Sequence, residues 1–141
     1  MVRPTEEQLN IRKMSVEDVP QVFDIERESF NDSSWTIDAF YHEIEQNQFA
    51  TYFVIEYDDK IIGYLGMWIV IDQAQITTVA IKKQYRGYGL GQLLLKYVKN
   101  YASHTCEVMS LEVRLDNVVA QHVYQNLGFE YGGKRKNYYG E

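Results

Sequence analysis

The sequence predicts a single α/β domain: a mixed sheet that begins antiparallel and ends in strand–helix–strand crossovers, with helices on both faces. Three observations predict it. Residues 49–82 hold three successive segments rich in β-branched and aromatic residues, joined by short polar connections, as an antiparallel meander requires. The stretch VAIKKQYRGYGLGQLLLKYV, Val79 to Val98, then runs from strand through a glycine-rich loop into an amphipathic helix. After it, VMSLEVRL, NVVAQHVYQNLG and FEYGGKRKNYY read as strand, helix and strand, and crossover helices of this kind join parallel strands. With 141 residues the chain suffices for one domain with a real core and not for two.

Taken in order, Leu9 to Met14 alternates as a short strand. A helix follows, capped by Ser15 or Asp18; Pro20 sits more comfortably in its first turn if Asp18 is the cap. Val22, Phe23, Ile25 and Phe30 supply its apolar face. NDSS, residues 31–34, is a break with capping chemistry, and Ile37, Phe40, Tyr41 and Ile44 then recur at helical spacing. FATYFVIEY and KIIGYLGMWIVID form a hairpin about Asp58-Asp59, and AQITTVAIK adds the third strand. In the helix after the glycines, Leu90, Leu93, Leu94, Tyr97, Val98 and Tyr101 are expected to cover the sheet. Gly128 ends the short helix that follows the next strand.

The strand–loop–helix unit is an anion site by construction. Gly87, Gly89 and Gly91 let the backbone approach a ligand and adopt positive φ. Unpaired amides of the first helical turn point outward, and Arg86 adds a charge with bidentate reach toward phosphate. The spacing excludes two familiar cradles. A P-loop ends Gly-Lys-Ser/Thr, whereas Gly91 is followed by Gln92 and Leu93; a dinucleotide fingerprint reads G-x-G-x-x-G in a first βαβ unit.

Composition bounds the rest. Hydrophobic residues make up 45% and charged residues 24%, as in ordinary globular proteins. A net charge of -6 argues against a nucleic-acid binder that tracks phosphates. The single cysteine, Cys106, excludes an intrachain disulfide framework and suits a reducing compartment. No signal-peptide core and no apolar run of membrane-spanning length occurs, so a cytoplasmic protein without membrane contact is expected. His42, His104 and His122 show no metal-ligand spacing with one another or with Cys106, so no metal is expected. Nothing in the sequence places a base on Cys106, so it is not expected to act as a nucleophile.

Two downstream residues carry chemistry. Along VMSLEVRLD, Met109, Leu111, Val113 and Leu115 share one face of the strand, and Ser110, Glu112 and Arg114 the other. Glu112 therefore reads as a solvated glutamate or as a base on a polar strip. Tyr124 falls on one helical face with Ala120, Val123 and Leu127, where an aromatic ordinarily belongs to the core.

The motifs resemble those of the GCN5-related N-acetyltransferases. Arg86, Gly89 and Gly91 occupy the places of its R/Q-x-x-G-x-G/A signature, and Asn117, Ala120, Tyr124, Gly128 and Phe129 match N-x-x-A-x-x-x-Y-x-x-x-G-F. SLEVR, residues 110–114, and the closing KRKNYY are similar to the RimI-like subgroup, which acetylates the N-terminus of a ribosomal protein. The resemblance spans essentially the whole chain. It implies the GNAT fold, a mostly antiparallel sheet splayed at the cofactor site, and acetyl-CoA as co-substrate. Its pyrophosphate would lie on Arg86, Gly87, Tyr88, Gly89, Leu90 and Gly91, with Asn117 as a further hydrogen-bond partner. The pantetheine arm would pair with Val79, Ala80 and Ile81, one of whose amides would stabilise the oxyanion. Glu112 is implied as general base, directly or through water, and Tyr124 as the acid that protonates the departing thiolate. Trp35, Tyr138 and Tyr139 match aromatics of the acceptor groove, which favours a protein N-terminus: the N-terminal alanine of small-subunit ribosomal protein eighteen. A small-molecule amine as acceptor and a coenzyme A-binding module without turnover are the alternatives. Family members usually continue for another strand past the point matching Tyr139-Gly140-Glu141, so the resemblance implies one domain over 1–141, with or without that strand.

Overall fold

A computed structural model describes residues 8–30, 36–106, 108–111 and 134–135. In chain order the described elements are β1 (Leu9–Lys13), α1 (Val19–Ser29), α2 (Ile37–Gln46), β2 (Ala50–Tyr57), β3 (Lys60–Val70), β4 (Gln73–Ile81), α3 (Leu90–Ala102), β5 (Val108–Leu111) and β6 (Lys134–Arg135). The described strands form one six-stranded sheet in the order of the chain. Every neighbouring pair is antiparallel except β4 and β5, which run parallel because α3 carries the chain back across one face; β5 and β6 are antiparallel, so the parallel pairing expected of the last strand–helix–strand unit is not found among the described residues.

Local chemistry explains the connections. Asp58 and Asp59 take φ of 53° and 65°, so the β2–β3 turn has the doubly left-handed form that matches strand twist, and aspartate tolerates it best after glycine and asparagine. The capping alternative at α1 resolves in favour of both residues. Ser15 opens a 3-10 turn over Val16–Asp18, and Asp18 is the N-cap of α1, with Pro20 in its first turn. The Asp18 carboxylate accepts from the Ser15 amide at 2.7 Å and is held bidentately by Arg12 at 2.7 and 2.8 Å. That guanidinium keeps the Asp18 carboxyl below the usual carboxylate range.

The sheet has an apolar layer on each face, as strand alternation demands. Phe53, Ile55, Leu65, Met67, Ile76, Val79 and Ile81 meet Leu90, Leu94, Leu95 and Val98 of α3. Tyr52, Val54, Tyr64 and Ala80 meet Val22, Ile25 and Phe40 of α1 and α2. Each fully buried leucine or isoleucine here contributes about 1.5–3 kcal/mol by leaving water. The expected covering face of α3 needs one correction. Leu95 is buried to 1% exposure, whereas Tyr97 is 41% exposed and only edges onto Phe53, ring centroids 5.4 Å apart. The six expected positions lie on one helical stripe, but the stripe that meets the sheet is rotated from it and holds Leu90, Gly91, Leu94, Leu95, Val98 and Ala102. Met109 is buried on the α3 side, so alternation turns Ser110 to the α1/α2 side.

Candidate active site

A bulge shapes the end of β4 that meets the glycine loop. In the β3–β4 ladder Gly66 pairs with Thr78 but Met67 with Ile76, so Thr77 is the extra residue of a bulge. The bulge bends β4 just before Val79–Ile81, which pair with Leu65, Tyr64 and Gly63 on the β3 side. A side chain at Gly66 would lie 2.6 Å from the Tyr52 ring, so glycine is what lets that ring cross β3. On its other side β4 pairs with β5 from Gln73–Val108 to Ile76–Leu111, where the described part of β5 ends.

Beyond Ile81 the chain makes a 3-10 turn over Lys83–Tyr85 and enters the loop. Gly87 and Gly89 have φ of 90° and 78°, the left-handed region that the alternating glycines predict. No atom lies within 4 Å of where a Cβ would stand at either, so dihedral freedom and open approach, rather than tight packing, demand glycine there. Gly91 has a different role: it is buried in the first turn of α3, against the sheet. Gly89 caps α3, whose first backbone bond runs from the Leu93 amide to the Gly89 carbonyl at 3.1 Å. The amides of Leu90, Gly91 and Gln92 precede that bond and carry the positive end of the helix dipole. This arrangement fits a pyrophosphate, since oriented amides, open backbone and a neighbouring cation are what such an anion needs.

The structure thus brings Val79, Ala80 and Ile81 together with Arg86, Gly87, Tyr88, Gly89, Leu90 and Gly91 at one end of β4. Arg86 stands differently from its expected free reach toward phosphate. Its Nε donates to the Ile81 carbonyl and its Nη2 to the Ser29 hydroxyl, each at 3.0 Å. Trp35, Glu112, Asn117, Tyr124, Tyr138 and Tyr139 lie outside the described residues.

Sequence reasoning missed a polar network beneath α1 and α2, on the face that holds Ala80. Glu26 and Glu43 are buried, at 5% and 6% exposure. Glu26 accepts a short hydrogen bond from the Tyr64 hydroxyl, whose oxygen is also 3.5 Å from that of Thr78 beside the bulge. Glu43 accepts from Asn47 Nδ2 at 2.8 Å, Tyr52 hydroxyl at 3.1 Å and Trp68 Nε1 at 2.8 Å. Burial, reinforced by the adjacent carboxylates, pushes both tyrosine hydroxyls well above the ordinary tyrosine range, so they remain neutral donors. The signal was present: Glu26 follows Val19 and Val22 at i+7 and i+4, and Glu43 follows Phe40 at i+3, each on an apolar face. Among the described residues, no three His, Cys, Asp or Glu side chains cluster as a metal would need. None of the described helices is long and apolar enough to cross a membrane.

Comparison with known proteins is consistent with this geometry. The model of the Acetyltransferase (GNAT) family matches residues 19–129. A candidate ribosomal protein bS18-alanine N-acetyltransferase of Bacillus subtilis is 48% identical over 130 residues, 92% of this chain and 85% of that protein. The crystal structure of the ribosomal-protein-S18-alanine N-acetyltransferase from Escherichia coli superposes with a TM-score of 0.76 at 24% identity, covering 86% of this chain and 77% of that one. PaiA N-acetyltransferase from Thermoplasma acidophilum, solved in complex with coenzyme A, superposes with a TM-score of 0.75 at 19% identity, covering 89% and 95%.

Proposed function

The chain belongs to the acetyltransferase (GNAT) family and is an N-acetyltransferase, and from that premise we propose that it acetylates the N-terminal alanine of ribosomal protein bS18. The observation that carries the acceptor is the 48% identity to the Bacillus subtilis relative of that name. The observation that supports acetyl-CoA as donor is the loop itself, with left-handed Gly87 and Gly89 opening onto the amides of α3.

Acetyl-CoA supplies an activated acetyl thioester, and the chain's own residues do the remainder. The α3 amides and the glycine backbone hold the pyrophosphate. The segment Val79–Ile81, bent by the bulge at Thr77, offers backbone amides to the acetyl oxygen as charge develops on it. Glu112 takes the proton of the attacking amine, directly or through water, and Tyr124 protonates the leaving thiolate. Asn117 adds a hydrogen bond to the coenzyme, and Trp35, Tyr138 and Tyr139 wall the groove that receives the peptide.

Thiol release from acetyl-CoA with three acceptors tests the reading: a peptide beginning Ala-Arg, the same peptide blocked at its N-terminus, and spermidine. Transfer to the free N-terminus alone is expected. Equal use of spermidine would overturn the acceptor assignment, and no release with any acceptor would overturn the activity. Replacing Gly89 tests the loop. With φ at 78°, Gly89→Ala adds about 1–2 kcal/mol of backbone strain, which corresponds to roughly 5- to 30-fold weaker coenzyme binding if the native loop is what binds. Titration with coenzyme A reads the change, and unaltered affinity would dissociate the loop from the ligand.

A further inference from the structure

The C-terminal turn of α1 touches the glycine loop's root at two points. The Glu28 carboxylate accepts from the Lys83 amide, at the start of the 3-10 turn that leads into the loop. Ser29, the last residue of α1, accepts from Arg86 Nη2 at 3.0 Å, although 57 positions separate the two in sequence. From the opposite side the Ile81 carbonyl accepts from Arg86 Nε at 3.0 Å. Arg86 is thus braced between the end of β4 and the end of α1.

A guanidinium carries five N–H donors in one plane. Two are engaged here, and because the group is rigid they fix the plane and the direction of the other three. An exposed arginine otherwise samples many rotamers, and ordering it on binding weakens affinity. Bracing it beforehand removes that loss. Glu28 acts alongside by pinning the backbone from which the loop departs.

We infer that Ser29 is a positioning residue for the coenzyme: through Arg86 it orients a guanidinium toward the pyrophosphate, with Glu28 holding the loop's root. The inference rests on the proposed use of acetyl-CoA and deepens it, since it assigns α1 a part in donor affinity. It also changes the part of Arg86, from a freely reaching cation to a preset one.

The test compares two thioesters. Acetyl-CoA contains the pyrophosphate; S-acetyl-pantetheine has the same acetyl group and arm without it. Ser29→Ala is expected to raise KM for acetyl-CoA about three- to tenfold, the range of one typical net hydrogen bond, since this one is exposed to water. Turnover at saturation and KM for S-acetyl-pantetheine are expected to stay as in the wild type. Ser29→Thr keeps the hydroxyl and is expected to stay within about twofold of wild type, less than the loss of one hydrogen bond. Unchanged acetyl-CoA KM in Ser29→Ala, an equal loss with both thioesters, or the same loss in Ser29→Thr would overturn the inference. A wild-type protein that used both thioesters equally well would instead overturn the loop's reading as a pyrophosphate cradle, and the inference with it.

Discussion

Glu112→Gln is expected to lower turnover at neutral pH by about 10²-fold, the lower end of what a positioned general base contributes. The reason lies in the acceptor. A peptide's α-amine has a pKa of about 7.7–8.0, so at pH 7 most of it is protonated and cannot attack. Glutamine has nearly the same shape and hydrogen-bonding reach but cannot take the proton. The deficit is therefore expected to shrink above about pH 8, where the amine loses its proton to solvent unaided. Thiol-release rates across that range check both halves. Wild-type turnover at pH 7 would remove Glu112 from the role, and a deficit that is equally deep at high pH would mark it as a binding residue instead.

The second large effect is on stability. Glu43→Ala is expected to destabilise the fold by roughly 2–4 kcal/mol, because it strips the shared acceptor from three donors. Asn47 is half-buried and Trp68 is 38% exposed, so water can partly replace the carboxylate for them. Tyr52, at 4% exposure, has no such recourse and carries most of the loss. Glu43→Gln keeps an acceptor oxygen at the same reach and is expected to cost less than half as much, roughly 1 kcal/mol. Urea unfolding at neutral pH measures both variants. If alanine and glutamine prove equally mild, the network does not anchor α2 to the sheet.

These expectations differ in how far the sequence alone supports them. The β2–β3 turn was legible because Asp58 and Asp59 are short polar residues between two β-rich runs, and their left-handed backbone is a local property. The parallel pairing of β4 with β5 was legible for a similar reason, since a helix of 13 residues must separate two strands that point the same way. The glycine loop was legible in part: Gly87 and Gly89 take the positive φ expected of all three glycines, and Gly91 is helical instead.

Legibility ended where a residue's meaning depends on a distant partner. Arg86 read as a free cation because nothing nearby in sequence announces Ser29. Glu26 and Glu43 were not singled out in the sequence, since an isolated carboxylate is ordinarily too costly to bury. Tertiary structure reverses that by delivering the hydroxyls of Tyr64 and Tyr52 and the indole of Trp68 from β2 and β3. By itself the sequence determined the order of the described elements, the hairpin connection at Asp58-Asp59 and the left-handed glycines of the loop, all of which follow from dihedral preference and periodicity over a few residues. Only the tertiary structure decided which charges enter the core, which apolar residues of α3 are covered, and which way Arg86 is held. Those outcomes follow from donors and surfaces that meet across the sheet, and no local pattern encodes such a meeting.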